Sequence, residues 1–78
     1  MELDLYFFSE CGFSQSVLNT MTNLNIHDKV TKKNIRENSE YEAELKELCG
    51  DSQVPTLVID GKPMRESEDI KKYLVSEF

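Results

Sequence analysis

The sequence predicts an α/β fold in the order β-α-β-α-β-β-α: a four-stranded mixed sheet with three helices packed on its faces. Three observations lead there. Apolar residues switch between period-two and helical spacing along the chain. Turn signals such as "ECG" and "DGK" fall where the period changes. The length, 78 residues, suits one small domain spanning residues 1–78, and no repeat, low-complexity tract or linker-like run divides it.

The elements follow in turn. "LDLYFFS" (Leu3 to Ser9) has Leu3, Leu5 and Phe7 on one face and Tyr6 and Phe8 on the other, the pattern of a strand buried on both sides. "ECG" breaks it. Phe13, Val17, Met21 and Leu24, with Leu18 adjacent, make the apolar stripe of a helix ending near "NLN". "KVTKKNI" (Lys29 to Ile35) is a polar strand, and its lysines suit a sheet edge. In "NSEYEAELKELCG", Ser39 and Glu42 form a capping-box pattern. Tyr41, Leu45 and Leu48 then share a face, and Gly50 terminates the helix. "VPTLVID" (Val54 to Asp60) is β-branched and apolar. "DGK" is a tight turn, and "KPMRE" (Lys62 to Glu66) returns as an edge strand, where Pro63 is tolerated. "SEDIKKYLVSEF" is the last helix, with Ser67 as cap, Glu68 and Asp69 in the first turn, and Ile70, Tyr73, Leu74 and Phe78 as its buried stripe.

Composition narrows the function. A net charge of −6 argues against nucleic acid, which requires a positive face. "LYFF" is the longest apolar run near the start, far too short for a signal peptide or a membrane span, so no membrane partner and a cytoplasmic location are expected. Two cysteines, Cys11 and Cys49, do not make a disulfide framework, which points to a reducing environment. With one histidine they also do not make a structural zinc site. His27 follows the first helix and reads as a loop or cap residue, and no hydrolytic triad or phosphate loop is present.

Cys11 is the residue with chemical promise. It falls between the first strand and the first helix, where unpaired backbone N–H groups and the helix dipole favour a thiolate. Gly12 permits close backbone approach, and the Ser14 hydroxyl can donate to the sulfur. Glu10 works against ionisation. A lone cysteine is also a common small apolar core residue, and position alone leaves both readings open. The later Val54-Pro55 and Ser67 favour a reactive thiol.

The chain resembles the glutaredoxins, of thioredoxin-like fold, over essentially its whole length. The resemblance is carried by "LYFFSECGFS", "QVPTLVIDGKPM" and "ESEDIKKYL". Cys-Gly-Phe-Ser (Cys11, Gly12, Phe13, Ser14) is the motif of monothiol glutaredoxins, and "ESEDI" is similar to the glutathione-binding stretch of glutathione transferase N-terminal domains. The resemblance implies that Cys11 is the nucleophile and that Ser14 holds the place of the second cysteine of dithiol members. It implies that Pro55 is a cis-proline, presenting the Val54 backbone to the cysteinyl part of glutathione. Phe13 belongs to the same binding surface. Ser67 and Glu68 would receive the γ-glutamyl end, and Lys32, Lys33 or Lys46 the glycyl carboxylate. The chain departs from the family pattern in having no tryptophan, "MRES" before the last helix, and "GDSQ" where basic residues usually precede Val-Pro.

Three functions follow from the resemblance. The first is an oxidoreductase that reduces glutathionylated or disulfide-containing proteins through Cys11, with glutathione as the second thiol and Cys49 either a resolving thiol or packing. The second is a carrier of a [2Fe-2S] cluster, held as a dimer by two copies of Cys11 and two glutathiones; otherwise a monomer is expected. The third is a non-catalytic glutathione-binding or interaction module.

Overall fold

A computed structural model describes residues 2–78. The elements take the expected order: β1 (Leu3–Phe7), α1 (Gly12–Leu24), a 3-10 turn (His27–Lys29), β2 (Thr31–Asn34), α2 (Ser39–Cys49), β3 (Thr56–Ile59), β4 (Lys62–Met64) and α3 (Ser67–Glu77). The sheet runs β2-β1-β3-β4, with β1 parallel to β2, and β3 antiparallel to both β1 and β4. This is an α/β thioredoxin-like fold with a four-stranded mixed sheet and three helices.

The strands are shorter than the apolar runs that announce them. β1 stops at Phe7 because the chain turns, with the Cys11 N–H donating to the Phe8 carbonyl at 3.2 Å. Residues 27–29 wind into the 3-10 turn instead of opening β2. β3 begins only after Pro55, which has no N–H to give the ladder.

Side-chain alternation along β1 builds two cores. Leu3 and Leu5 face α1 and α3 and pack with Val17, Met21, Leu57, Ile70 and Leu74. Tyr6 faces α2 and packs with Ile35, Leu45 and Val58. Leu5 lies opposite both Lys32 of β2 and Leu57 of β3, so the central strand fixes the register of the sheet. Each fully buried leucine here contributes about 1.5–3 kcal/mol by removal from water.

Turn chemistry closes the elements as the sequence suggests. Asn25 ends α1 in the left-handed conformation (φ 55°). Beyond it the Ile26 N–H reaches the Met21 carbonyl at 3.1 Å, a Schellman closure whose apolar residue is buried. Asp60 and Gly61 both have positive φ (50° and 88°), the signature of a type I′ hairpin between β3 and β4.

Five residues sit differently from their expected places. Phe13 is 69% exposed, because α1 turns Ser14, Val17 and Met21 to the sheet and Phe13 lies about 100° around the helix from Ser14. Leu48 is also exposed, and Cys49, two turns from Tyr41 with Leu45 between, takes the inward position. Phe78 lies beyond the last turn of α3 and is exposed. The cap of α2 is Asn38, whose side chain accepts the Glu40 N–H at 2.9 Å, with Ser39 the first helical residue. Ser67 likewise begins α3 while Glu66 occupies the cap position. Asn and Ser compete for the cap on nearly equal terms, so one residue of slippage leaves little trace in sequence.

Candidate functional site

Cys11 is the residue from which α1 springs. Its backbone is extended (φ −83°, ψ 122°), while its carbonyl already accepts the Gln15 N–H at 2.9 Å. The loop before it is tied down. The Gln15 side-chain amide donates to the Ser9 carbonyl at 2.5 Å, and the Asn34 amide donates to the Ser9 hydroxyl at 3.4 Å. The sulfur is half-buried, and the thiol points to the Val54 carbonyl oxygen, 4.0 Å away.

Desolvation by the surrounding chain pushes the Cys11 thiol up. The Ser14 N–H, the Ser14 hydroxyl and the Phe13 N–H outweigh it, so the thiol falls below its ordinary value. Glu10, exposed on the preceding turn, is not among the groups that govern it. Ser14 is fully buried, and its hydroxyl makes no hydrogen bond of normal length and angle within the protein. It stands near enough to the sulfur to stabilise a thiolate, and ionisation gives this otherwise unpaired donor an acceptor.

Beside the thiol lies a groove of about 240 Å³ lined by Phe13, Gln53, Val54, Pro55, Arg65, Glu66 and Ser67. Three elements build it. α1 supplies Phe13. The loop from Asp51 to Pro55 supplies the floor, with the Val54–Pro55 peptide cis and the Thr56 hydroxyl donating to the Gln53 carbonyl at 2.8 Å. The start of α3 supplies Glu66 and Ser67. Across one rim the Arg65 guanidinium pairs with the Asp51 carboxylate, which also accepts the Gln53 N–H at 3.1 Å. That N–H, together with Arg65, holds the Asp51 carboxyl below the usual carboxylate range.

The family model of the glutaredoxins matches residues 3–64. The chain belongs to the glutaredoxin family. Among the solved structures similar to this glutaredoxin-family chain are several glutathione S-transferases. An epsilon-class enzyme from housefly, Musca domestica, is 26% identical with a TM-score of 0.78, covering 99% of this chain and 35% of its own. Glutathione transferase E6 from Drosophila melanogaster is 29% identical with a TM-score of 0.75, at 99% and 35% coverage. The unclassified transferase 2 from Bombyx mori, at 24% identity and a TM-score of 0.82, covers 100% of this chain and 36% of its own and shows likeness of fold alone. The chain thus spans about a third of the length of these structures. No curated protein sequence matches it significantly.

Most residues singled out from sequence meet at the groove: Phe13, Val54, Pro55 and Ser67 line it, and Cys11 and Ser14 stand beside it at the foot of α1. Glu68 does not line it; that side chain turns to solvent and pairs with Lys71 at 2.9 Å. The three lysines proposed for the glycyl carboxylate do not line it either. Lys33 is held by Glu44 at 3.0 Å and Asp4 at 3.9 Å, Lys46 pairs with Glu42 at 4.0 Å, and Lys32 meets His27 at 3.2 Å. Gln53, Arg65 and Glu66 are groove residues that the sequence reading did not select. Adjacency to Val54-Pro55 and Ser67 is no sufficient signal for them, since Glu68 adjoins Ser67 as Glu66 does and yet turns to solvent.

The fit of an iron–sulfur cluster follows from the donor set. Such a cluster takes four thiolates. The site offers one thiol, Cys11, and Cys49, partly buried at the end of α2, packs against the core on the other face of the sheet. Among the described residues no group of three or more His, Cys, Asp or Glu side chains is placed to hold a metal ion. One chain supplies one of the four thiolates, and a bridged cluster would draw the other three from a second copy and two glutathiones; no chemical step is routed through it. Among the same residues, no helix is long and apolar enough to cross a membrane.

Proposed function

We propose that this protein is a glutathione-dependent thiol–disulfide oxidoreductase that reduces protein–glutathione mixed disulfides by a monothiol route through Cys11. One observation carries this reading: a thiol of lowered pKa stands at a helix N-terminus, 4.0 Å from the carbonyl of Val54, at the edge of a groove lined by Val54 and Pro55. The transferase structures that resemble it act with glutathione by name, and the glutaredoxin family match agrees with that ligand.

The chemistry balances with a single protein thiol. The Cys11 thiolate attacks the glutathionyl sulfur of the mixed disulfide. A Cys11–glutathione S–S bond forms as the original bond breaks, and the client leaves as a thiolate that takes a proton from water. A second glutathione thiolate then attacks the glutathionyl sulfur on Cys11, forming glutathione disulfide and returning the Cys11 thiolate. The Phe13 and Ser14 N–H groups and the Ser14 hydroxyl stabilise that thiolate both as attacking and as leaving group. The Val54 backbone pairs with the cysteinyl unit as an added strand would. Ser67 and Glu66, at the start of α3, receive the γ-glutamyl end. A reducing, cytoplasmic setting suits this cycle.

The test is intact-protein mass spectrometry after incubation with glutathione disulfide. A single glutathione adduct on Cys11, removed by free glutathione, is expected. An adduct confined to Cys49, or none, contradicts the reading.

A further inference from the structure

We infer that Glu10 makes this protein selective for cationic clients, mixed disulfides whose glutathionylated cysteine has lysine or arginine beside it. This rests on the glutathione reading above and names the class of protein substrate for the same thiol. Glu10 immediately precedes Cys11 and is exposed. Among the described residues no cation lies within ion-pair distance of it. Phe13, beyond the Cys11-Gly12 step, is 69% exposed. A free carboxylate and an open ring on either side of a nucleophile match a long cationic side chain, with its stem on the ring and its charge at the acid.

Charge is also divided between the two ends of the sheet. Cys11 follows the Phe7 end of β1. Lys29 and Lys62, which pair with no acid among the described residues, lie at the other end. Lys62 stands opposite Ile59, which stands opposite Leu3, and Lys29 precedes Thr31, which lies beside Asp4. At the thiol end the cations are engaged: Arg65 with Asp51, Lys71 with Glu68, and Arg36 over the Phe8 ring at 4.4 Å. Glu10 and Glu37 stay unpaired there. The Asn34 amide, 3.4 Å from the Ser9 hydroxyl, holds the turn that carries Glu37 against the loop that carries Glu10. In a chain of net charge −6, such a face draws cations and raises their concentration at the thiol.

The test uses two glutathionylated peptides that differ only in having lysines or glutamates around the central cysteine. Cys11 of the full chain takes the glutathionyl group and the peptide leaves as a thiol. The rate constant of this single turnover is read by quenched mass spectrometry. Each rate is divided by that of the same peptide with 2-mercaptoethanol, a neutral thiol, which removes the difference in leaving group. At about 0.01 M salt the lysine peptide should react about tenfold faster, and at about 1 M the two should converge. Glu10→Gln should lower the low-salt ratio about threefold. Glu77→Gln, which removes the same charge at the far end of α3, should change it little. The ratio cancels any change in the thiolate fraction of Cys11. A low-salt ratio of one or less, a ratio indifferent to salt, or equal effects of Glu10→Gln and Glu77→Gln overturns the inference. So does failure of both peptides while glutathione disulfide still forms the Cys11 adduct, which leaves the glutathione reading intact. No adduct from any of the three overturns both.

Discussion

The Cys11 sulfur lies 4.0 Å from the Val54 carbonyl oxygen, although the two residues belong to segments 43 positions apart. One is the origin of a helix and the other the residue before a buried proline, and their approach makes one continuous wall from thiol to groove. What the site does depends on the state of that sulfur.

The thiol titrates early. Nucleophilic attack follows the thiolate fraction, so a lowered pKa moves the rise of reactivity to lower pH. The rate of Cys11 alkylation by iodoacetamide should reach half its plateau below the ordinary thiol value of 9.0. A midpoint at or above that value would show that helix and hydroxyl fail to offset desolvation.

Ser14→Ala separates reactivity from stability. It removes a buried hydroxyl that has no normal partner within the protein and places alanine, the best helix former, in α1. Stability in urea should hold or rise by up to about 1 kcal/mol, while the alkylation midpoint of Cys11 moves up. A clear loss of stability would mean that the hydroxyl is bonded in the resting protein.

Lys33 anchors the opposite face of the sheet. Its ammonium donates to Glu44 at 3.0 Å and to the Tyr6 hydroxyl at 3.4 Å, and lies over the Tyr6 and Tyr41 rings at 5.2 and 5.6 Å. Desolvation works against the charge, but Glu44, the Tyr6 hydroxyl and Asp4 outweigh it and raise the pKa to about 12. Because the folded value is the higher one, the stabilisation is complete below the ordinary 10.5 and disappears as pH rises through about 12. Glu44 is 46% exposed, so screening limits the contribution to about 1 kcal/mol. Lys33→Met should cost about that at pH 7 in urea titrations and nothing above pH 12.

The ends of the helices discriminate between neighbouring residues. Asn38→Ala should cost about 1 kcal/mol, and Ser39→Ala much less, since Asn38 makes the cap bond. In α3, Leu74→Ala should cost about 2–5 kcal/mol and Phe78→Ala close to nothing, because Leu74 is wholly buried and Phe78 is not. Thermal melts of the four variants check both orders.

The fold was legible because its signals are local. Leu3, Leu5 and Tyr6 declare a central strand by alternation, and Asp60-Gly61 declares a hairpin by its need for positive φ. Helix rotation was less legible. Phe13, Leu48 and Phe78 are apolar and periodic with true core residues, yet only packing decides which of several neighbouring apolar residues faces inward. The thiol was visible from its place before a helix. The groove's charged wall was not, because Arg65 meets Asp51 through a tertiary contact that spacing does not encode, and Glu66 and Glu68 are alike in sequence while only Glu66 faces the groove.

The central claim is tested most directly by steady-state reduction of a glutathionylated peptide with glutathione as the reductant, for the unaltered chain, Cys11→Ser and Cys49→Ser. The account predicts turnover in the unaltered chain, its loss in Cys11→Ser and its retention in Cys49→Ser. Turnover that survives Cys11→Ser, or that disappears with Cys49→Ser, would contradict a monothiol route through Cys11.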